Sequence, residues 1–226
     1  MNTRNKRVVV IAGATGGLGQ STTRAFAEQG DSLALLSNNQ KKLEALVQKV
    51  NLPDERLLTC TVDLLDAPAV QEAAEAVSAK FGRVDILIHL IGGWTGGKTI
   101  AESDPDDFKF MLDRHVWTTV HFLQAFSPKL AANGWGRVIA VTTPFATNPS
   151  AKMGPYAAGK AAQETLLMTL ADEFKGTDIT ANAIQVKSID VKGTKKGTSL
   201  QEIIAAMQYL FSQAAGKVNG TRLPLY

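Results

Sequence analysis

Two side chains in "GPYAAGKAAQETLL", residues 154–167, have the types and separation that proton chemistry needs. Tyr156 and Lys160 stand four positions apart at the start of a run with helical apolar spacing, and on a helix that interval stacks them on one face. A phenol beside an ammonium is either surface decoration or a group that loses and regains a proton near neutral pH. With an ordinary pKa near 10, tyrosine does this poorly; lowering it by about three units takes roughly 4 kcal/mol of differential stabilisation of the phenolate. A nearby positive charge is a physical source of that stabilisation.

A second stretch is built for binding. In "VVVIAGATGGLGQSTTRAFAEQG", Gly13, Gly17 and Gly19 sit where an apolar strand ends and an amphipathic helix begins. Gly13 suits the tight turn, Gly17 lets the backbone approach a pyrophosphate, and Gly19 permits close helix–strand packing. The helix start offers unpaired N–H groups and a positive dipole end to phosphates, with Thr15 and Leu18 completing the candidate contacts of the loop. The end of the second strand, "LALLSNNQKKL", carries Ser37 and Asn38. An Asp or Glu at that point would hold the ribose 2′-hydroxyl of NAD and repel a 2′-phosphate. No carboxylate stands there, and Lys41 and Lys42 follow one turn on, so the expected cofactor is NADP(H) in preference to NAD(H). Asp63, in "TVDLLD", either accepts from an adenine amino group or is an ordinary loop aspartate.

The glycine pattern of 13–19, the pair Asp63–Leu64, the Tyr156-Ala-Ala-Gly-Lys160 element and "ITANAI" at 179–184 occur in one order and at suitable separations. Together they resemble the short-chain dehydrogenase/reductase family over nearly the whole chain. The resemblance implies an oxidoreductase that interconverts a carbonyl and an alcohol. Tyr156 would exchange the proton, Lys160 would hydrogen-bond the nicotinamide ribose, and Gly92 would survive as a backbone contact to the cofactor. The family's serine, thirteen positions before the tyrosine, falls on Thr143, whose hydroxyl can make the same hydrogen bond; Thr142 is the alternative. The family's asparagine, which supports a water-linked proton path to the lysine, falls on His115, either a relay or a filler between helices.

Other positions depart further from the family. Its Asn-Asn-Ala-Gly after strand 4 reads His89-Leu90-Ile91-Gly92 here, and its Pro-Gly followed by threonine reads Val186, Lys187 and then Val191. His89 is expected to be a buried strand residue. Trp94, in "GGWTGGKTI", is either an aromatic wall for the substrate or a cap on the core. Lys192, Lys195 and Lys196 either attract an anion or are simply solvated.

The elements that must position these groups follow from apolar spacing. Strands are expected at 7–13, 32–37, 56–62, 84–92, 137–143 and 179–186, with helices near 17–29, 40–50, 68–81, 105–131, 155–175 and 199–213. "TRLPLY" reads as a last edge strand, where Pro224 is tolerated because it cannot donate to a ladder. This alternation marks βαβ units. The expected architecture is a single doubly wound α/β domain of Rossmann type over 1–226, with a roughly seven-stranded parallel sheet and helices on both faces.

The bulk composition excludes several classes. A formal net charge of +3 over 226 residues argues against nucleic acid as a partner, and no window approaches the roughly 18 apolar residues that span a bilayer. The single cysteine, Cys60, rules out an internal disulfide framework. The basic start runs directly into the first strand and glycine loop, unlike a signal peptide. No metal site is expected, the location is expected to be cytoplasmic, and the family resemblance implies a homo-oligomer, a tetramer or a dimer. Two alternatives remain: a cofactor-binding protein of this fold with weak or lost catalysis, acting as a regulatory module, and a structural subunit with no ligand.

Overall fold

All five residues of β1 (Val8–Ala12) are buried, with Val8, Val10 and Ala12 in one hydrophobic layer and Val9 and Ile11 in the other. A strand apolar on both faces belongs at the centre of a parallel sheet covered by helices, and the computed structural model, which describes residues 7–226, has that arrangement. The basic start at residues 1–6 lies outside the described residues. β1 is joined by β2 (Ser32–Ser37), β3 (Leu57–Thr61), β4 (Ile86–His89), β5 (Trp135–Thr142) and β6 (Asp178–Gln185). A further strand, β9 (Arg222–Pro224), completes a seven-stranded sheet in the order β3-β2-β1-β4-β5-β6-β9, with every pairing parallel.

Helices α1 (Gly17–Glu28), α2 (Gln40–Val50) and α7 (Leu200–Leu210) cover one face, where Phe26, Leu43, Leu46, Ile203 and Met207 share a core with Ile11 and Ile184. Helices α3 (Ala67–Phe81), α5 (Thr118–Asn133) and α6 (Gly154–Glu173) cover the other through Val70, Phe122, Phe126, Leu130 and Leu167. The doubly wound parallel architecture expected from the sequence is present, including the C-terminal edge strand, in which Pro224 lies opposite Gln185.

One element differs from expectation. The helix expected over 105–131 is α4 (Pro105–Leu112) and α5 joined by a π-helical turn, Asp113–Trp117. A π turn shifts the backbone ladder by one residue and leaves carbonyls without their usual partners. Here the hydroxyls of Thr118 and Thr119 donate to the carbonyls of Arg114 and His115, both at 2.7 Å. Apolar periodicity alone does not reveal this, because the turn keeps helical handedness and a similar rise.

Segment 188–199 folds into a small two-stranded piece, β7 (Ile189–Asp190) with β8 (Thr198–Ser199). The Asp190 carboxylate pins it by accepting from the backbone N–H groups of Thr194 and Lys195 at 2.9 and 2.6 Å.

Candidate active site

Strand order reverses between β1 and β4, and in an open α/β sheet the ligand crevice lies beyond the carboxyl ends at that point. Two adjoining cavities occupy it. One, about 220 Å³, is lined by Leu18, Gly92, His115, Tyr156, Lys160 and Val186. The other, about 350 Å³, is lined by Gly13, Thr15, Ser37, Asn38, Asp63 and Arg114. Both are bordered by Leu90, Ile91 and Gly92, so they form one elongated groove with the glycine loop near its middle.

The loop is shaped for close approach. Gly13 adopts φ +83°, a left-handed conformation that side chains resist. A Cβ on Gly19 would lie 2.2 Å from the Gly13 carbonyl oxygen, so α1 packs against the turn only because residue 19 has none. The start of α1, at Gly16, has no side-chain cap and no acidic residue in its first turn, leaving N–H groups for an anion. These features fit the pyrophosphate of a dinucleotide. Val191 from the small two-stranded piece covers Gly17, where an added Cβ would meet its Cγ1 at 2.5 Å. Close backbone approach at Gly17 therefore requires that valine to shift.

At the end lined by Ser37 and Asp63, Ser37 Oγ and Thr15 Oγ1 are 2.7 Å apart, while Asn38 is exposed. Asn39 caps α2 by accepting from the Lys42 N–H at 3.0 Å, and the Asp63 carboxylate accepts from the Leu65 N–H at 3.0 Å. Leu64 is buried, with its carbonyl hydrogen-bonded to His121 Nδ1 at 2.8 Å. Arg114 was not singled out by the sequence. It comes from the π turn, whose register the pattern does not disclose, and lies over the Phe110 ring at 5.4 Å.

At the other end, α6 approaches α4 closely because Gly159 has no side chain; a Cβ there would lie 2.9 Å from the Met111 carbonyl oxygen. That approach puts the His115 ring edge-on to Tyr156, with centroids 5.8 Å apart. Thr143 is fully buried, and its hydroxyl accepts from the Phe145 N–H at 3.5 Å. Thr142, the alternative, donates instead to Glu164 Oε1 at 2.6 Å. Burial pushes the Tyr156 phenol above its ordinary value, and the Thr143 hydroxyl opposes this.

Lys160 is buried and donates to the Val141 carbonyl and to Gln163 Oε1, both at 2.9 Å. Burial is the largest influence on the Tyr156 phenol in this arrangement and raises it; the expected lowering draws on Lys160 together with the positive charge of an oxidised nicotinamide. Burial also lowers Lys160 itself to about 7, against the pull of Glu164.

Around Lys160 lies a polar cluster that the sequence reading missed. Glu164 accepts from Thr142, from Gln185 Nε2 at 2.9 Å and from Arg222 Nε of the edge strand at 2.5 Å. His89 is a buried strand residue, as expected, yet it bonds Thr118 at 3.2 Å and Gln163 at 3.3 Å. Burial first, then Lys160, holds His89 down to about 3 and His115 to about 2, so both rings are neutral. The available signal was Gln163 and Glu164 themselves, two polar residues on a helix whose neighbours are apolar. Of the remaining candidates, Trp94 is 60% exposed and caps no core. Lys192, Lys195 and Lys196 are exposed. Among the described residues, no cluster of three metal-ligating side chains occurs, and no helix is long and apolar enough to cross a membrane.

Known proteins share this architecture. An uncharacterized oxidoreductase of Staphylococcus epidermidis is 25% identical over 215 residues, covering 92% of each chain. The NADPH-bound short chain oxidoreductase of Pseudomonas aeruginosa PAO1, described as containing an atypical catalytic center, superposes with a TM-score of 0.88 at 22% identity, covering 97% of this chain and 95% of that one. The 3-ketoacyl-(acyl-carrier-protein) reductase of Brucella melitensis, complexed with NADH, superposes with a TM-score of 0.87 at 21% identity, covering 97% and 96%. The family model described as short chain dehydrogenase matches residues 7–202. The chain belongs to the short-chain dehydrogenase/reductase family of oxidoreductases.

Proposed function

We propose that the chain, acting as one domain over 1–226, is an NADP(H)-dependent reductase of a small carbonyl compound, or the corresponding alcohol dehydrogenase, with Tyr156 as the acid/base. The observation that carries this reading is the convergence of Tyr156 and the buried Lys160 on a groove that runs to the glycine loop. Gly13, Thr15, Gly17, Leu18, Gly19, Ser37, Asn38, Asp63, Leu64 and Gly92 would hold the cofactor, which supplies or accepts the hydride when bound.

The chain's own groups handle the proton. With its pKa raised, Tyr156 is protonated at neutral pH, and that is the form that donates to a carbonyl oxygen during reduction. The Thr143 hydroxyl favours the phenolate and so offsets part of the effect of burial. Lys160 keeps one N–H after serving Val141 and Gln163, and that donor would hold the nicotinamide ribose. His115 donates its Nε2 proton to the Gly93 carbonyl at 3.2 Å, which leaves Nδ1 bare and without a partner. That nitrogen can accept a proton-bearing group in the site.

The lean toward NADP(H) rests on Ser37, Asn38 and the absence of a carboxylate at the β2 end; the structural relatives include NADPH, NADH and NAD+ complexes. A homo-oligomer, a dimer or tetramer, in the cytoplasm completes the reading. Protein fluorescence titrated with NADPH and NADH, followed by absorbance at 340 nm with a panel of carbonyl compounds, tests it. Tight NADPH binding with turnover supports the reading, and no binding of either nucleotide overturns it. Binding without turnover would favour the second reading, a cofactor-binding module with weak catalysis, which the cover of Val191 over Gly17 supports.

A further inference from the structure

Lys160 is held by a buried hydrogen-bond chain whose directions can be worked out atom by atom. An ammonium only donates, so the Gln163 atom 2.9 Å from Lys160 Nζ is its carbonyl oxygen. The Gln163 amide nitrogen therefore faces the other way and donates to Thr119 Oγ1 at 2.9 Å and to His89 Nδ1 at 3.3 Å. With Nδ1 accepting, neutral His89 carries its proton on Nε2 and donates to Thr118 Oγ1 at 3.2 Å. Thr118 and Thr119 then pass their own hydroxyl protons to the carbonyls of Arg114 and His115 in the π turn, which only accept. Every bond is fixed in sense, from a donor at one end to acceptors at the other.

Gln163, Thr119 and His89 are all nearly inaccessible to solvent. The family resemblance places a water-linked path beside the lysine. In this chain a side-chain amide occupies one of the lysine's hydrogen-bonding positions, and the carbonyl of His115 accepts from Thr119. A buried amide that lacked any one partner would carry a desolvation penalty of about 1–3 kcal/mol, so the chain resists rotation of Gln163 and with it displacement of Lys160.

We propose that Gln163 is a positioning residue for Lys160, anchoring the ammonium to the π turn through Thr119 and His89 so that its remaining N–H faces the groove. This rests on the reading of Lys160 as a cofactor contact. The titratable and charged groups around Lys160 are His89 from β4, His115 from the π turn, Tyr156 and Glu164 from its own helix, and Lys187 beyond β6, which lines the same cavity, with Arg222 of β9 reached through Glu164.

The test is fluorescence titration of the full chain with NADPH from pH 6 to 9 for wild type, Gln163→Leu, Gln163→Glu and Lys160→Met, with a thermal melt of each. Gln163→Leu is expected to weaken NADPH binding about tenfold at pH 7, in line with loss of a hydrogen bond to a charged group, and to move the loss of binding at rising pH toward lower pH. Gln163→Glu keeps the acceptor and adds a negative charge, so it should retain affinity within about threefold and move that loss about one pH unit higher. A purely structural role would lower the melting temperature of Gln163→Leu while leaving the pH dependence of binding in place, and that result overturns the proposal. Should Gln163→Leu fail to fold, an unmoved pH dependence in Gln163→Glu overturns it alone. Lys160→Met separates the two ideas. If it binds NADPH as wild type does, the cofactor reading of Lys160 fails and the inference falls with it. If it binds weakly while both Gln163 variants behave as wild type, only the inference fails.

Discussion

The two ends of the groove are built by different means. At the Tyr156 end, Lys160, Gln163, Glu164, His89 and Thr119 are buried and joined by hydrogen bonds that leave little freedom of orientation. At the Ser37 end, Asn38 and the flanking Lys41 and Lys42 are exposed, and Ser37 has Thr15 and the Asn39 backbone as its partners. Buried polar groups that must all be satisfied hold one geometry, whereas exposed side chains adapt. The difference implies that substitutions at the first end change whether the site works, and those at the second change which nucleotide it prefers.

The sharpest way to break both ends at once is Gly19→Ala. Its Cβ would lie 2.2 Å from the Gly13 carbonyl oxygen, so we expect loss of nucleotide binding and destabilisation of about 3 kcal/mol or more by urea titration. Gly16→Ala serves as the control, because its Cβ would stand 3.4 Å from the same oxygen; that protein should fold normally. Lys160→Met, at the built end, should weaken NADPH and NADH alike by about 30-fold or more, through loss of a charged hydrogen bond. A variant that discriminates between the two nucleotides would contradict this.

At the adaptable end, Asn38→Asp should lower NADPH affinity about tenfold relative to NADH, by repulsion of a 2′-phosphate, and leave turnover with saturating NADH within about twofold. Equal affinities before and after would remove Asn38 from the cofactor contacts.

A further effect is a pH dependence of stability. His89 and His115 have folded values of about 3 and 2, below the ordinary 6.5. Their stabilising contribution is therefore complete above pH 6.5 and is lost as pH falls toward those lower values, at a limit of about 1.4 kcal/mol per pH unit for each ring. Urea melts between pH 6.5 and 5 should show that fall, and His89→Asn should flatten it.

The sheet, the glycine loop and the Tyr156–Lys160 spacing were legible because each rests on local sequence: β1 is apolar on both faces, the loop needs glycines at fixed offsets, and a helix stacks residues four apart. The environment of Lys160 was not legible, since His89, Thr119 and Gln163 come from three separate elements and meet only through packing. The π turn was hidden for a related reason. The hydroxyls of Thr118 and Thr119 satisfy the carbonyls it frees, and two threonines in a helical pattern carry no distinctive signal. The balance at Tyr156 also escaped, because burial and the Thr143 hydroxyl act in opposite directions there and only the folded surroundings set their sum.

Tyr156→Phe tests the central claim most directly, with NADPH binding by fluorescence and oxidation at 340 nm measured on the same sample with a carbonyl compound that wild type reduces. Turnover should fall by at least about 100-fold, as removal of a general acid requires, with nucleotide affinity within about threefold of wild type. Turnover near the wild-type rate in that variant would show that the phenol is not the group that moves the proton.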